Sequence, residues 1–304
     1  MILKHAYCII AHSDPYCLNT LVRLLDHPDN DIFVLADSKA DPRLLDNISV
    51  IKSGLHIIPS NQRIDIRWGG MSLVKATLLV MKTALKSGNY SYLHLLSGAD
   101  LPLKTPEQIH SYFENVEKGT NFVSFSHGEA IRQNVEYKTR YYHPFVEYQR
   151  FRKDGNLFHA LQDFSAKALR KIAVMSQKSV GFKRKWNDIQ LRKGSNWVSV
   201  TSDLARYLVE RENYILKRFR GVICTDEIFI HTLIYNSPFR DTIQDYDNKL
   251  DEAIRYIDWN RGTPYVWREE DFDELVNSGS LFARKFSSNV DQGIIDKIAA
   301  HLNS

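Results

Sequence analysis

Cysteine is scarce in this chain: among its 304 residues the only thiols are Cys8, Cys17 and Cys224. An odd and sparse set predicts reduced thiols in a reducing compartment, rather than a secreted scaffold held by disulfides. Cys8 and Cys224 lie in apolar runs, so we expect them in the core. No spacing of Cys and His typical of a zinc site occurs.

Long apolar runs are also missing. The stretch over residues 1–12 is too short and too interrupted by polar residues to span a bilayer. It lacks the cleavage pattern of a signal peptide as well. We therefore expect a buried first strand here, in a protein of the cytoplasm.

Neither sign of charge is in strong excess, since the formal net charge is +4, with 43% apolar and 25% charged residues. Such a composition is ordinary for a soluble globular protein and does not by itself argue for nucleic acid. The length allows one large α/β domain or two small ones. Because repeats, low-complexity segments and flexible linkers do not occur, we favour one domain over residues 1–304.

The first third of the chain has the pattern of a parallel α/β sheet. Apolar runs at residues 6–11 and 31–36 flank a segment of helical spacing, which predicts a strand, a helix and a parallel strand. Ligands of such sheets bind beyond the carboxyl ends of the strands. This places His12, Asp37 and Lys39 beside a predicted binding crevice.

Further elements follow from periodicity and capping. Thr105, Pro106 and Gln108 have the pattern of a capping box that opens a helix. Thr225 or Asp226 is predicted to cap a later helix. The other predicted helices cover residues 74–85, 204–209, 271–276 and 292–302, and the other predicted strands cover residues 50–52, 56–58, 92–96, 121–125 and 197–200.

Residues 131–193 differ from the rest of the chain, because cations outnumber acids there and aromatic residues are interleaved. We expect a solvated, partly irregular insertion. Its functional interpretation is a wall that binds the acceptor, or peripheral contact with an anionic membrane surface. No recognised nucleic-acid motif occurs, and we expect no nucleic-acid partner.

Two stretches in the second half carry the residues that group transfer needs. Glu227 follows Asp226 at the predicted start of a helix, and Arg284-Lys285 stands between Phe282 and Phe286. A carboxylate can act as a base for a nucleophile, and paired cations can stabilise a diphosphate leaving group. The alternatives are a first-turn helix acid that complements the dipole and an ordinary surface cation pair.

Several motifs together resemble the core-2/I-branching glycosyltransferase family, which includes peptide O-xylosyltransferase, and within it a bacterial-type member. They occur in family order and cover most of the chain. The matching motifs are Ile10-Ala11-His12, Trp68-Gly69-Gly70-Met71-Ser72-Leu73, Leu96-Ser97-Gly98-Ala99-Asp100-Leu101-Pro102-Leu103, Gly194-Ser195-Asn196-Trp197, Asp226-Glu227-Ile228-Phe229-Ile230-His231-Thr232-Leu233, Trp259-Asn260-Arg261 and Phe282-Ala283-Arg284-Lys285-Phe286.

The resemblance implies a Rossmann-like GT-A fold with a mostly parallel central sheet flanked by helices. It also implies an inverting transfer from a UDP-sugar, with GlcNAc or xylose as the sugar, to a glycan, glycolipid or peptide acceptor in surface polysaccharide or glycoconjugate synthesis. No metal or cofactor is expected, because the usual Asp-x-Asp motif is replaced by a segment whose single carboxylate is Asp100.

Roles carried over by position make Glu227 the catalytic base and Arg284 and Lys285 the diphosphate-binding pair, with Arg261 as a helper. Asn196 departs from the xylosyltransferase pattern, which has Asp there. The alternative function is a non-catalytic carbohydrate- or polyanion-binding protein on the same fold. The remaining roles are nucleoside binding by His12, Asp37, Lys39 and Trp68, and sugar or acceptor binding by Asp100, Asn196 and Trp197.

Overall fold

Five strands form the central sheet of the computed structural model, which describes residues 4–148, 157–247 and 251–304. The strand order is β3-β2-β1-β4-β6, and only β6 runs antiparallel to its neighbour. The α/β architecture with a mostly parallel sheet flanked by helices is therefore confirmed. The strands are β1 (Lys4–Ala11), β2 (Asn30–Ala36), β3 (Gly54–Ile57), β4 (Tyr90–Ser97) and β6 (Ser199–Thr201).

A second, three-stranded sheet lies next to the end of β4. It consists of β5 (Asp100–Pro102), β7 (Arg255–Ile257) and β8 (Phe282–Arg284), with β8 in the middle. In the antiparallel pair of β5 and β8, Asp100 stands opposite Arg284. The sequence did not predict this sheet, because strands of three residues are too short to show a period.

Helices cover both faces of the central sheet, because β1, β2 and β4 are buried on both sides. One core contains α2 (Ser72–Ser87), α6 (Ser202–Glu210) and α8 (Phe229–Tyr235). The other contains α1 (Pro15–Leu24), α3 (Pro106–Glu114) and α10 (Gln292–Leu302). The remaining helices are α4 (Glu129–Thr139), α5 (Leu157–Ser179), α7 (Glu212–Arg218) and α9 (Phe272–Asn277).

Local sequence signals gave several of these elements correctly. Thr105 and Gln108 form the capping box at the start of α3, as predicted. The predicted C-terminal helix over residues 292–302 coincides with α10. Cys8 and Cys224 are buried, as expected, and so is Cys17.

The predicted strand at residues 50–52 was wrong. The N–H groups of Ile51, Lys52 and Ser53 all donate to the carboxylate of Asp26, at 2.7–2.9 Å. A carboxylate satisfies these donors in place of a neighbouring strand. Ile51 is 95% exposed, so the apolar residues here do not mark a buried element.

The predicted strand at residues 121–125 was also wrong. Asn121, Phe122 and Phe125 make isolated bridges to three different segments, so no continuous ladder forms.

The predicted cap of α8 was wrong as well. The Thr225 hydroxyl donates to the carbonyl of Val222, and no side chain caps the helix.

The basic segment over residues 131–193 is more regular than expected, since it contains most of α4 and all of α5. Across residues 4–148, 157–247 and 251–304, no helix combines the length and the apolar character needed to cross a bilayer.

Candidate functional site

The carboxyl ends of β1 and β2 bring two of the predicted nucleoside-binding residues together. Ala11 and Ala36 are register partners, and the N–H of Asp37 donates to the Ala11 carbonyl at 2.8 Å. His12 is exposed beside this end and lines a cavity of about 520 Å³. The carboxylate of Asp37 is nearly buried, at 6% exposure of the residue.

Lys39 connects this edge to the segment that carries Trp68. Its ammonium lies 3.1 Å from both carboxylate oxygens of Asp37 and 2.8 Å from the Ile66 carbonyl, and it is also paired with Asp65. Trp68 is two residues after Ile66 and is 51% exposed. His12, Asp37, Lys39 and Trp68 therefore lie along one edge of the sheet.

The turn after Trp68 joins this edge to the turn that carries Glu227. The carbonyl of Gly69 accepts from the N–H of Cys224 at 2.9 Å. Gly69 has a positive φ of 76°, a backbone conformation that residues other than glycine rarely adopt. Glu227 is the last residue of a 3₁₀ turn that begins at Thr225.

Two lysines hold the carboxylate of Glu227. Its Oε2 lies 2.7 Å from Nζ of Lys138 and 3.1 Å from Nζ of Lys193. Burial works to raise the pKa of Glu227, but the two ammonium groups outweigh it and hold that pKa below its ordinary value. Glu227 is therefore ionised at neutral pH, and its side chain is 33% exposed.

Lys138 and Lys193 contact the predicted base, and reasoning from sequence missed both contacts. Lys138 is on α4, 89 positions from Glu227, and nothing in the sequence indicated the contact. The one signal that could have indicated this contact is a lysine on the apolar face of a predicted helix. In the structure Lys138 is only 9% exposed. A buried cation of this kind needs a carboxylate partner.

Asp226, beside Glu227, has a different environment. Its Oδ2 accepts from Nδ2 of Asn196 at 3.3 Å. Burial, followed by the negative charge of Glu227, raises the pKa of Asp226 to about 7. The two adjacent carboxyl groups therefore have pKa values moved in opposite directions, which is common where acid and base roles are divided.

The loop that carries Asn196 is fixed against the same turn. The N–H of Gly194 donates to the carbonyl of Glu227 at 3.0 Å. A Cβ at Gly194 would lie 1.8 Å from the Ser124 carbonyl oxygen, so only glycine fits this approach. Asn196 and Trp197 are thereby held beside Asp226 and Glu227.

Asp100 is 2% exposed and is committed to contacts within the protein. Its Oδ2 accepts from the N–H of Ser97 at 2.8 Å, and its Oδ1 accepts from the Ser97 hydroxyl at 2.6 Å. Nε of Arg284 lies 3.6 Å from Oδ1. Within residues 4–148, 157–247 and 251–304, no three His, Cys, Asp or Glu side chains come together as a metal-ligand set.

Arg284 connects Asp100 to the loop of Asn196. Its guanidinium carbon lies 4.1 Å from the centroid of the Trp197 ring, which is cation–π geometry. The backbone of the next residue, Lys285, is held by the N–H of Trp267 and the carbonyl of Tyr265, at 3.0 and 3.3 Å. Both cations are therefore on a packed segment, as their aromatic neighbours suggested.

Arg261 lies beside the residues that hold Lys285, and its guanidinium is paired with carboxylates. Its guanidinium bonds to Asp271 at 2.7 Å and to Glu274 at 3.0 Å, and also to Asp258. It lies over the rings of Tyr265 and Trp267 at 4.3 and 5.1 Å. The structure therefore places Arg261 against the residues that hold Lys285.

The model of the family described as core-2/I-branching enzyme matches residues 5–275 of this chain. The chain belongs to the core-2/I-branching enzyme family.

Curated relatives of this family member include Xylosyltransferase 2 of Rattus norvegicus, which is 23% identical over 99% of the chain. Xylosyltransferase sqv-6 of Caenorhabditis elegans is 25% identical over 91% of it. The chain spans about a third of the length of these relatives, 34% and 32% respectively. The crystal structure of mouse xyloside xylosyltransferase 1 in its apo form aligns with 92% of the chain and 96% of its own, at 8% identity and a TM-score of 0.37.

Proposed function

We propose that this core-2/I-branching family member is an inverting, metal-independent glycosyltransferase. It moves a sugar, GlcNAc or xylose, from a UDP-sugar to an acceptor hydroxyl. The observation that carries the proposal is the chain of contacts that links Glu227, through the loop of Asn196 and Trp197, to Arg284 and Asp100.

The base in this proposal is Glu227. It takes the proton of the acceptor hydroxyl while the hydroxyl oxygen forms a bond to the anomeric carbon. The bond from that carbon to the diphosphate breaks on the opposite side, and UDP leaves with the electron pair, so the configuration inverts. The lowered pKa of Glu227 keeps the carboxylate ready to accept at neutral pH.

The leaving diphosphate is stabilised by Arg284 and Lys285, where negative charge grows as the sugar departs. Trp197 and Asp100 hold the guanidinium of Arg284 in place. Arg261 helps through Tyr265 and Trp267, which fix the backbone of Lys285. Cations that are preorganised in this way can act in place of a metal ion, and no cofactor is required.

Nucleoside binding is assigned to the edge formed by His12, Asp37, Lys39 and Trp68. The exposed Trp68 offers a face for a base, and the network of Asp37 and Lys39 offers charged groups for the ribose and uracil. Asn196 and Trp197 are assigned to the sugar or acceptor, whereas Asp100, predicted for the same role, is buried and acts by holding Arg284. Asn196, where the xylosyltransferase pattern has Asp, pairs with Asp226 and is expected to affect which sugar or acceptor is accepted.

Thermal-shift measurements test the donor. We expect stabilisation by UDP, and a further difference between UDP-GlcNAc and UDP-xylose that identifies the sugar. Adenosine and guanosine diphosphates are the matched controls. Equal stabilisation by all nucleotides, or by none, would contradict the donor assignment.

A second candidate function is a catalytically silent carbohydrate- or polyanion-binding protein. The observation that favours it is the basic cavity between α4 and α5, which is lined by several cations. Hydrolysis of UDP-sugars in the absence of acceptor separates the two, since a silent protein leaves the donor intact.

The acceptor class we propose is a glycan, glycolipid or peptide of surface polysaccharide or glycoconjugate synthesis. We also propose a location in the cytoplasm, with peripheral contact to the membrane through the basic segment. The three free, buried thiols and the cations of residues 131–193 support this location.

A further inference from the structure

Helix α5 presents an apolar stripe to solvent. Five large apolar side chains are spaced by three, four or eight residues, which places them on one face of the helix, and each is 57–75% exposed. A stripe of this spacing normally faces a protein core, whereas here it faces outward. Its members are Leu157, Leu161, Phe164, Ile172 and Met175.

Cations follow one edge of this stripe. Lys167, Lys171 and Lys178 lie along the same side of α5, and three more cations follow at residues 183–185. Residues 157–185 contain seven Lys and Arg and one acid, so their net charge is 7 − 1 = +6. An apolar stripe with a basic border is the pattern of a helix that lies in the plane of a bilayer surface.

A cavity of about 630 Å³ opens along the same edge, between α4 and α5. Its cations are Arg140, Lys167, Arg170, Lys171 and Lys178, and Met175 of the apolar stripe also lines it. The only acid among its lining residues is Glu136, which pairs with Arg140 at 3.2 Å. The cavity is therefore built for an anion.

His143 lines this cavity and is 4% exposed, and its Nε2 is buried without a hydrogen-bond partner. An unpaired buried nitrogen is costly, and a hydroxyl group of a lipid headgroup that reaches the cavity would satisfy it by donating to it. Burial, followed by the charge of Arg170, lowers the pKa of His143 to about 4. The neutral imidazole thus adds a hydrogen bond and no further charge.

We propose that α5 docks in the surface of a bilayer of anionic phospholipid, with its apolar stripe in the interface and a lipid phosphate in the cavity beside it. This inference rests on the peripheral contact proposed above and specifies its surface and its partner. Charge complementarity selects an anionic bilayer over a second copy of the chain, because two faces of net charge +6 repel each other.

Helix α4 would connect this surface to the proposed active site. Tyr137 and Arg140 line the cavity, whereas Lys138, between them, contacts Glu227. A lipid-linked acceptor held at the bilayer would therefore lie across a single helix from the base.

Flotation of the full chain with vesicles tests the proposal. We expect binding to phosphatidylcholine vesicles that contain phosphatidylglycerol, and little binding to phosphatidylcholine alone. Phe164→Glu should weaken binding to the mixed vesicles by about tenfold or more, because it places a charge in the apolar stripe. Lys171→Glu should weaken it by on the order of tenfold, since it reverses one charge at the basic border.

Matched controls are Ile51→Glu, at a position that is 95% exposed outside α5, and Lys86→Glu, on the exposed end of α2. Both should bind vesicles like the original chain. The altered side chains are exposed, so thermal melting should show all four variants folded. Equal binding by Phe164→Glu and Ile51→Glu would overturn the proposal, as would equal binding to neutral and anionic vesicles.

Two further measurements separate the alternatives. Inorganic phosphate that binds in calorimetry, while vesicles of either composition do not, would overturn the membrane assignment in favour of a free phosphate. A dimer that appears in sedimentation and that Phe164→Glu dissociates would also overturn the membrane assignment, in favour of a second copy of the chain. UDP affinity should be unchanged in Phe164→Glu. Failure of the membrane proposal can therefore be told apart from failure of the proposed donor site.

Discussion

The ammonium of Lys138 lies 2.7 Å from Oε2 of Glu227, and it reaches there from a helix of the basic segment. This ion pair gives the basic segment a part in the proposed chemistry. It sets the protonation of the proposed base, and it makes the position of α4 relevant to turnover.

Replacement of Glu227 by Gln tests the base. The amide keeps the shape of the side chain but cannot accept a proton, so turnover should fall by on the order of a hundredfold or more, with little change in UDP affinity. Steady-state kinetics and calorimetry measure the two effects. Asp226→Asn is the matched comparison, and a larger loss in that variant than in Glu227→Gln would move the base to Asp226.

Lys138→Met should raise the pKa of Glu227, because burial then acts against a single remaining cation, Lys193. The acid limb of the kcat/KM profile should move to higher pH. Lys75→Met, at an exposed position of α2, is the control and should leave the limb unchanged. An identical limb in both variants would show that Lys138 does not act on the base.

Arg284→Ala should weaken UDP binding and turnover by about tenfold to a hundredfold, since a charge-assisted contact to phosphate contributes roughly 1.5–3 kcal/mol. Arg284→Lys should also weaken both, because an ammonium lacks the fork that grips two oxygens. Arg261→Ala should affect UDP affinity less and lower the melting temperature instead. Calorimetry on folded variants measures this, and unchanged UDP affinity in Arg284→Ala contradicts the site.

Activity should persist after treatment with EDTA. Both carboxylate oxygens of Asp100 already accept hydrogen bonds from Ser97, and Arg284 supplies positive charge beside it. A sugar-transfer assay with and without chelator measures this. Loss of activity that manganese restores would refute metal independence.

The raised pKa of Asp226 should make the free energy of unfolding depend on pH. Its pKa is raised from 3.8 to about 7, so the folded state binds more protons than the unfolded state between these values. The contribution of Asp226 to the free energy of unfolding therefore falls as pH rises through this window and levels off above pH 7. Asp226→Asn should remove this slope. Thermal melting across the window measures it, and parallel curves for the two proteins would contradict the assigned pKa.

Residues that stand next to strong local signals could be predicted from sequence. Asp37 follows a buried strand, so its position beside a strand end was foreseeable. Arg284 stands between two aromatic residues, so the packing of its segment was foreseeable as well. The contact of Lys138 with Glu227 was not, because it joins elements 89 positions apart. The sheet of β5, β7 and β8 was hidden for a related reason, since each strand has three residues and gains its stability from partners distant in sequence.

The pairing of Asp100 with Arg284 also has a consequence for how the protein is made. Their strands are adjacent in the sheet, yet all of the helices from α3 to α9 lie between them in sequence. Contacts of such separation form late, after the loop between them has closed. A nascent chain would therefore contain the residues proposed to bind the nucleoside well before Arg284, the cation proposed to bind the diphosphate. Ribosome-bound intermediates should be unable to cleave a sugar nucleotide.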